Sequence, residues 1–338
     1  MSSTPLLQMM RYINQYENRI HSIIVIHENK LVFEQYFDGY LYSNNPPGSD
    51  GRYITYGMDT LHYLASVSKS VTSVLVGIAH DRGYITNISD KITGYFPQYS
   101  SILVGEKANI TIENLLTMTS GLAWDESSYP YTDPRNDVTQ LFYNSDPIGY
   151  ILSRQLISTP GTSFHYNSGN TNVLAEMVHT TSEINLDAFS REYLFDPLGI
   201  TSYKWEKIRG DIVFASGGLY LRPRDLAKIG SLYLNLGKWK DQQIISQDWI
   251  EASIHSYIST RFLPISTGYG YQWWLGTFRS GDRTFNCFLA AGWGEQYMFI
   301  FPDQNLIVVI NCGYYLNTTT VSPFNLVNYF ILPALSGT

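Results

Sequence analysis

Ser66-Val67-Ser68-Lys69 places a hydroxyl and an amine three residues apart at the start of an apolar run. On a helix, positions i and i+3 share a face, so the two groups can touch. A lysine packed among apolar side chains is poorly solvated, which lowers its pKa toward that of a usable base. The first turn of such a helix also offers free N–H groups and partial positive charge, the means to hold an oxyanion. A second piece is Pro160-Gly-Thr-Ser-Phe-His-Tyr166-Asn-Ser168-Gly-Asn170, a turn that delivers a tyrosine to a helix expected from about Thr171. A phenol titrates at about 10 and is a poor base unless an ammonium such as Lys69 lies beside it. The third piece is Ala290-Ala291-Gly292-Trp293, leading into an apolar run at 297–301. Glycine at a strand edge lets a substrate approach the backbone closely, and a free N–H there could be a second oxyanion donor. Each piece also has a plain structural reading: a capped helix with its lysine reaching to solvent, a tyrosine with a satisfied hydroxyl, a tight turn.

The elements that must position these residues follow from periodicity. Helical spacing marks 5–18, with Leu6, Met9, Met10, Ile13 and Tyr16 on one face, and 66–81, with Val71, Val74, Leu75, Ile78 and Ala79. Two β-rich runs, 22–27 and 31–37, flank a short polar turn, and 38–60 reads as loop from its Gly, Asn, Pro and Asp content. The middle is mostly helical, at 111–119, 148–155, 171–180, 186–194, 223–236 and 246–255. Strand character returns at 269–275, 283–289, 296–301 and 306–311, and a helix at 323–332 closes the chain. Strands at both ends with helices between predict an α+β fold: an antiparallel sheet built from both chain ends, flanked by helices, with an inserted, mostly helical lobe. Residues 1–85 and 207–338 would form the sheet lobe and 86–206 the helical one, with a ligand cleft between them.

Composition narrows the partners. The chain has 338 residues, 44% hydrophobic but only 15% charged, with a net charge of −7. Typical soluble chains carry roughly 25% charged residues. A mildly acidic, charge-poor chain with 27 tyrosines suits neither nucleic acid nor an anionic membrane surface as partner. The seven histidines are scattered without ligand spacing. Gly-x-Ser-x-Gly, His-Glu-x-x-His, Cys-x-x-Cys and phosphate-loop patterns are absent, so neither a metal nor a nucleotide cofactor is expected. The start of the chain shows no basic region followed by an apolar stretch, and Cys287 and Cys312 fit non-adjacent strands as free thiols. These features point to a cytoplasmic protein.

Taken in order, the three pieces resemble the serine β-lactamase and penicillin-binding-protein superfamily, closest to its class C-like branch of esterases and 6-aminohexanoate-dimer hydrolases. Residues 114–122, 216–226 and 269–274 are similar to further segments of that branch. The resemblance implies a β-lactamase/transpeptidase-like fold, with Ser66 as acylated nucleophile, Lys69 as its activating partner and Tyr166 as proton shuttle. It implies an oxyanion hole from the N–H groups of Ser66 and Trp293, Ser168 and Asn170 as supporting polar groups, and Trp124, Tyr129, Tyr131, Gly292 and Trp293 around the substrate. Ser168 stands where the lactamases carry Asn, and Ala290 where they carry a substrate-anchoring Lys. The missing cation points away from penicillins and toward small or medium uncharged esters. Amides of short linear oligomers are the alternative, followed by a penicillin-binding-type sensor or weak β-lactamase.

Overall fold

The computed structural model describes residues 1–16 and 18–335. The first helix, α1 (Ser3–Asn14), buries Leu6, Met9 and Ile13. It is shorter than the predicted 5–18: Asn18 donates its side-chain amide to Ile13 O at 3.1 Å and ends it, and residue 17 lies outside the described residues. Strands β1 (Ile20–His27) and β2 (Lys30–Tyr36) form the expected hairpin, with Glu28 and Asn29 at φ 51° and 59° in its turn.

The segment 38–60 departs from expectation. It holds a second hairpin, β3 (Asp38–Asn44) and β4 (Pro47–Thr55), with Tyr40 opposite Tyr53. Its polar residues read as loop because this ribbon is half-exposed on both faces and shows no clean alternation. Next, β5 (His62–Tyr63) leads into α2 (Val67–Asp81), whose side chains are buried from Val67 through Ala79. A helix covered all round lies between layers rather than on a surface. Here α2 packs against the main sheet on one side and the helical region on the other.

That region contains α3 (Ile112–Leu116), α4 (Asp137–Tyr143), α5 (Pro147–Ser153), α6 (Ser168–Ser182) and α7 (Leu186–Ser190). Helix α4 was not foreseen; Asn136 caps it by accepting from Val138 N inside a polar stretch. Helix α6 begins three residues before the predicted Thr171, because Asn167 accepts from Asn170 N and starts it there. Ser168 and Asn170 therefore belong to its first turn. The chain returns through β6 (Tyr203–Trp205), β7 (Lys207–Arg209), β8 (Ile212–Val213) and β9 (Leu219–Leu221); β9 pairs between β5 and β6. Helix α8 (Pro223–Leu234), the small ribbon β10 (Lys238–Trp239) and β11 (Gln242–Gln243), and α9 (Gln247–Ser253) follow.

The last strands are β12 (Ser266–Tyr269), β13 (Trp274–Ser280), β14 (Arg283–Gly292), β15 (Gln296–Phe301) and β16 (Leu306–Cys312). A single strand at 269–275 was expected; the chain instead turns at 270–273. Gln272 leaves the sheet at φ 63° and donates its backbone N–H to Leu116 O at 3.0 Å. The main sheet is antiparallel with the order β12-β13-β14-β15-β16-β1-β2, so the two chain ends meet at the β16–β1 pair. Ile24, Met298 and Val309 face the cluster around α2 and α8, while Ile23, Phe299 and Val308 face α1 and the C-terminal helices α10 (Pro323–Leu326) and α11 (Leu332–Ala334). Both faces are covered, which is why these strands read as unbroken apolar runs. Cys287 and Cys312 are free and buried on β14 and β16, with β15 between them. No helix among the described residues is long and apolar enough to cross a membrane.

Candidate active site

The site is built where β5 turns into α2. Ala65 sits at φ 46°, a left-handed conformation that costs a side-chain-bearing residue about 1 kcal/mol or more. It is held there by Ser68, whose backbone N–H and hydroxyl donate to Ala65 O at 3.0 and 2.6 Å. This kink delivers Ser66 to the mouth of α2. One turn on, Lys69 Nζ donates to Ser66 Oγ and to Ser216 O, each at 2.8 Å. Ser216 is fixed in turn by Asn172, which donates Nδ2 to Ser216 Oγ at 3.0 Å and accepts Ser216 N–H at 3.3 Å. Burial drives the Lys69 pKa down to about 8, with the Glu126 carboxylate pulling the other way.

Tyr166 lies two residues before α6, its ring centroid 5.0 Å from Lys69 Nζ. The ring stacks on Trp274 at 5.6 Å and on Phe262 at 5.3 Å. Burial lifts its pKa well above the usual phenol value, Glu126 and Tyr269 add to this, and a hydrogen bond from the Ser66 side chain opposes it. Burial thus works against the phenolate of Tyr166, the form in which it would act as a base beside Lys69. The same desolvation favours the neutral amine of Lys69 and brings its pKa down to about 8.

Gly292 closes the third side, at the end of β14. A Cβ there would stand 2.4 Å from Leu64 O and 3.1 Å from Ser66 N, so only glycine lets strand edge and helix mouth come this close. Trp293 follows, its ring 4.8 Å from Tyr131 and 5.2 Å from Tyr315. Ser66, Ser168, Tyr131 and Trp293 share a cleft of about 790 Å³, with Tyr42, Tyr63 and Phe214 among its other walls and Lys204, Glu206 and Lys207 also lining it.

The remaining residues singled out in the sequence lie elsewhere. Asn170 is buried, its Oδ1 accepting from Ser120 Oγ at 2.9 Å and its Nδ2 3.8 Å from Met118 Sδ. Trp124 is buried beside the cleft with Nε1 donating to Glu126 Oε2 at 2.5 Å. Tyr129 carries Arg135 over its ring at 4.0 Å. Three further contributors carry no sequence motif. Asn172 sits one helical turn from Ser168 and donates to its carbonyl at 3.0 Å. Gln272 donates to Leu115 O and Leu116 O and accepts from Ser70 and Thr171, tying α2, α3 and α6 together. Glu126 stands two residues from Trp124, in an aromatic segment with no motif that marks an acid. The i+4 spacing of Ser168 and Asn172 was the one local signal available.

The family model described as Beta-lactamase matches residues 14–322. The chain belongs to that family. Among curated relatives, the 6-aminohexanoate-dimer hydrolase of Paenarthrobacter ureafaciens is 28% identical over an alignment of 283 positions that covers 74% of this chain and 66% of the relative. The chain thus spans just under two thirds of that relative's length. Of solved structures, EstCE1, a hydrolase with promiscuous acyltransferase activity, superposes with a TM-score of 0.74 at 13% identity, covering 99% of this chain and 98% of its own. A class C beta-lactamase from Rhodobacter sphaeroides gives a TM-score of 0.70 at 15% identity, covering 99% and 100%. These likenesses establish a β-lactamase-type α+β fold in a family of hydrolases. In this family member Ala290 is fully buried in the apolar layer between the sheet and α2, so position 290 offers no cation to a substrate.

Proposed function

We propose that the protein is a serine hydrolase that works through an acyl-enzyme on small or medium uncharged carboxylic esters. The observation that carries this reading is the 2.8 Å contact of Lys69 Nζ with Ser66 Oγ, made by an amine whose pKa is brought down to about 8. In its neutral form Lys69 takes the hydroxyl proton as Ser66 Oγ bonds to the substrate carbonyl carbon. The carbonyl oxygen becomes an oxyanion held by the N–H groups of Ser66 and Trp293. Tyr166, protonated, gives its proton to the departing alkoxide or amine and is reprotonated from Lys69. Water then adds to the acyl carbon, its proton passes to the same pair, and Lys69 returns a proton to Ser66 Oγ as the acyl carbon–Oγ bond breaks and the acid product is released. Each proton has an acceptor within the chain, and no step calls on a metal or organic cofactor.

The aromatic walls and the apolar Ala290 favour uncharged substrates. A second reading, amide hydrolysis of short linear oligomers, is favoured by Ser168 on the cleft wall and by the relative whose name specifies an aminohexanoate dimer. Intact-mass spectrometry after mixing with an activated ester tests the function. Transient acylation at Ser66 followed by release supports the hydrolase. A persistent adduct replaces it with a penicillin-binding-type sensor, and no adduct removes both.

A further inference from the structure

Glu126 takes part in none of these proton transfers, yet its charge acts on Lys69, Tyr166, Tyr131 and Tyr269. Its carboxylate has three donors. Oε2 accepts from Trp124 Nε1 at 2.5 Å and from the Ser168 backbone N–H at 2.9 Å, and Oε1 accepts from Ser168 Oγ at 3.0 Å. No ion pair involves it among the described residues. The Ser168 N–H belongs to the first turn of α6, where a negative charge is stabilised.

An ionised carboxylate can only accept. The Ser168 hydroxyl hydrogen is therefore committed to Glu126, and the oxygen has only lone pairs left for a molecule in the cleft it lines. We infer that Glu126 is a positioning residue that sets substrate class: it makes Ser168 Oγ a fixed acceptor, so the cleft selects substrates that bring an N–H donor, secondary amides, over esters of the same shape. An ester has no hydrogen to offer there and sets its own lone pairs against those of Ser168. This inference rests on the acyl-enzyme reading and, within it, puts the amide reading ahead of the ester one.

Glu126→Gln isolates the effect. Trp124 Nε1 and Ser168 N–H both donate, so the glutamine oxygen stays with them and its NH2 takes the place of Oε1. That NH2 donates to Ser168 Oγ and turns the hydroxyl hydrogen into the cleft. Shape is kept and polarity is reversed. The test uses 4-nitrophenyl butyrate and N-(4-nitrophenyl)butanamide, the amide being read as a substrate and as a competitive inhibitor of ester hydrolysis. One matched hydrogen bond changes kcat/KM or Ki by about tenfold. Compared on the plateau of each pH profile, we expect Glu126→Gln to weaken the amide by about that factor while the ester is unchanged or gains, since the hydroxyl hydrogen then faces its oxygens. Ser168→Ala should cost the amide a similar factor, and the double variant should add nothing further. Loss of the charge beside Lys69 moves the pH profile of both substrates together and leaves their ratio untouched. An ester-to-amide ratio unchanged in both variants, or equal losses on both substrates, overturns the inference while leaving the hydrolase reading in place. A wild-type protein with no Ser66 adduct and no turnover removes the hydrolase reading, and the inference with it.

Discussion

Strand β5 divides two buried clusters of ionisable side chains. On one face Tyr63 lines the cleft onto which Ser66 opens, with Lys69 and Tyr166 behind it; on the other, His62 Nε2 meets His21 Nδ1 at 2.8 Å beneath the ring of Tyr56. Successive residues of a strand point to opposite faces, so adjacent positions serve unrelated ends. Burial is the leading influence on both clusters. It brings Lys69 from 10.5 down to about 8, into the range where a proton can be exchanged. It takes His62 from 6.5 to about 4 and His21 to about 2, out of that range. Desolvation alone therefore does not mark a catalytic group. What separates the clusters is the starting pKa and the opening of one of them onto a cleft.

The contrast can be broken most directly at the nucleophile. Ser66→Ala should lower kcat on an activated ester by roughly 10³-fold or more, whereas His21→Gln should leave it within about twofold. Comparable losses in both would erase the distinction. Next in size is the proton path. Tyr166→Phe should reduce kcat by about 10²-fold or more with little change in KM. In the wild type, kcat/KM should climb with pH through about 8 as Lys69 loses its proton, since the charged amine cannot accept one from Ser66. A profile flat between about pH 7 and 9 would remove Lys69 as the base.

The histidine face should answer to pH through stability instead. Both folded-state pKa values lie below the unfolded value, so the unfolded chain binds protons first as pH falls. Stability should be highest above about 6.5 and decline toward about 4, by about 1.4 kcal/mol per pH unit for each proton taken up. His21→Gln should flatten that slope by up to one proton in urea titrations run at several pH values; an unchanged slope would place the acid sensitivity elsewhere. The smallest effect concerns two tyrosines of one segment. Tyr131 lines the cleft against Trp293, whereas Tyr129 packs with Arg135. Tyr131→Ala should raise KM about fivefold, consistent with removing an aromatic wall, and Tyr129→Ala should leave KM unchanged. Equal KM shifts in the two would deny Tyr131 a distinct role.

Much of the fold was legible because its signals are local. The apolar runs of β1, β14, β15 and β16 lie at both chain ends, and closing one sheet from them demands the β16–β1 pair. Polar sequence hid the β3–β4 ribbon, and a turn inside an aromatic run hid the break at Gln272, because neither depends on local periodicity. In the site, Ser66 and Lys69 were readable together since a single helical turn joins them.

The sequence by itself determined the helix that carries Ser66 and Lys69, the strands at both ends, the glycine at 292 and the absence of a cation at 290, for these need only residue type and short-range spacing. Only the tertiary structure decided that burial raises the Tyr166 phenol while lowering Lys69, that Asn170 is buried against Ser120, and that Glu126 holds Ser168. Those outcomes depend on desolvation and on partners far apart in the chain, Glu126 with Ser168 and Asn172 with Ser216, and no local pattern encodes which distant group will arrive.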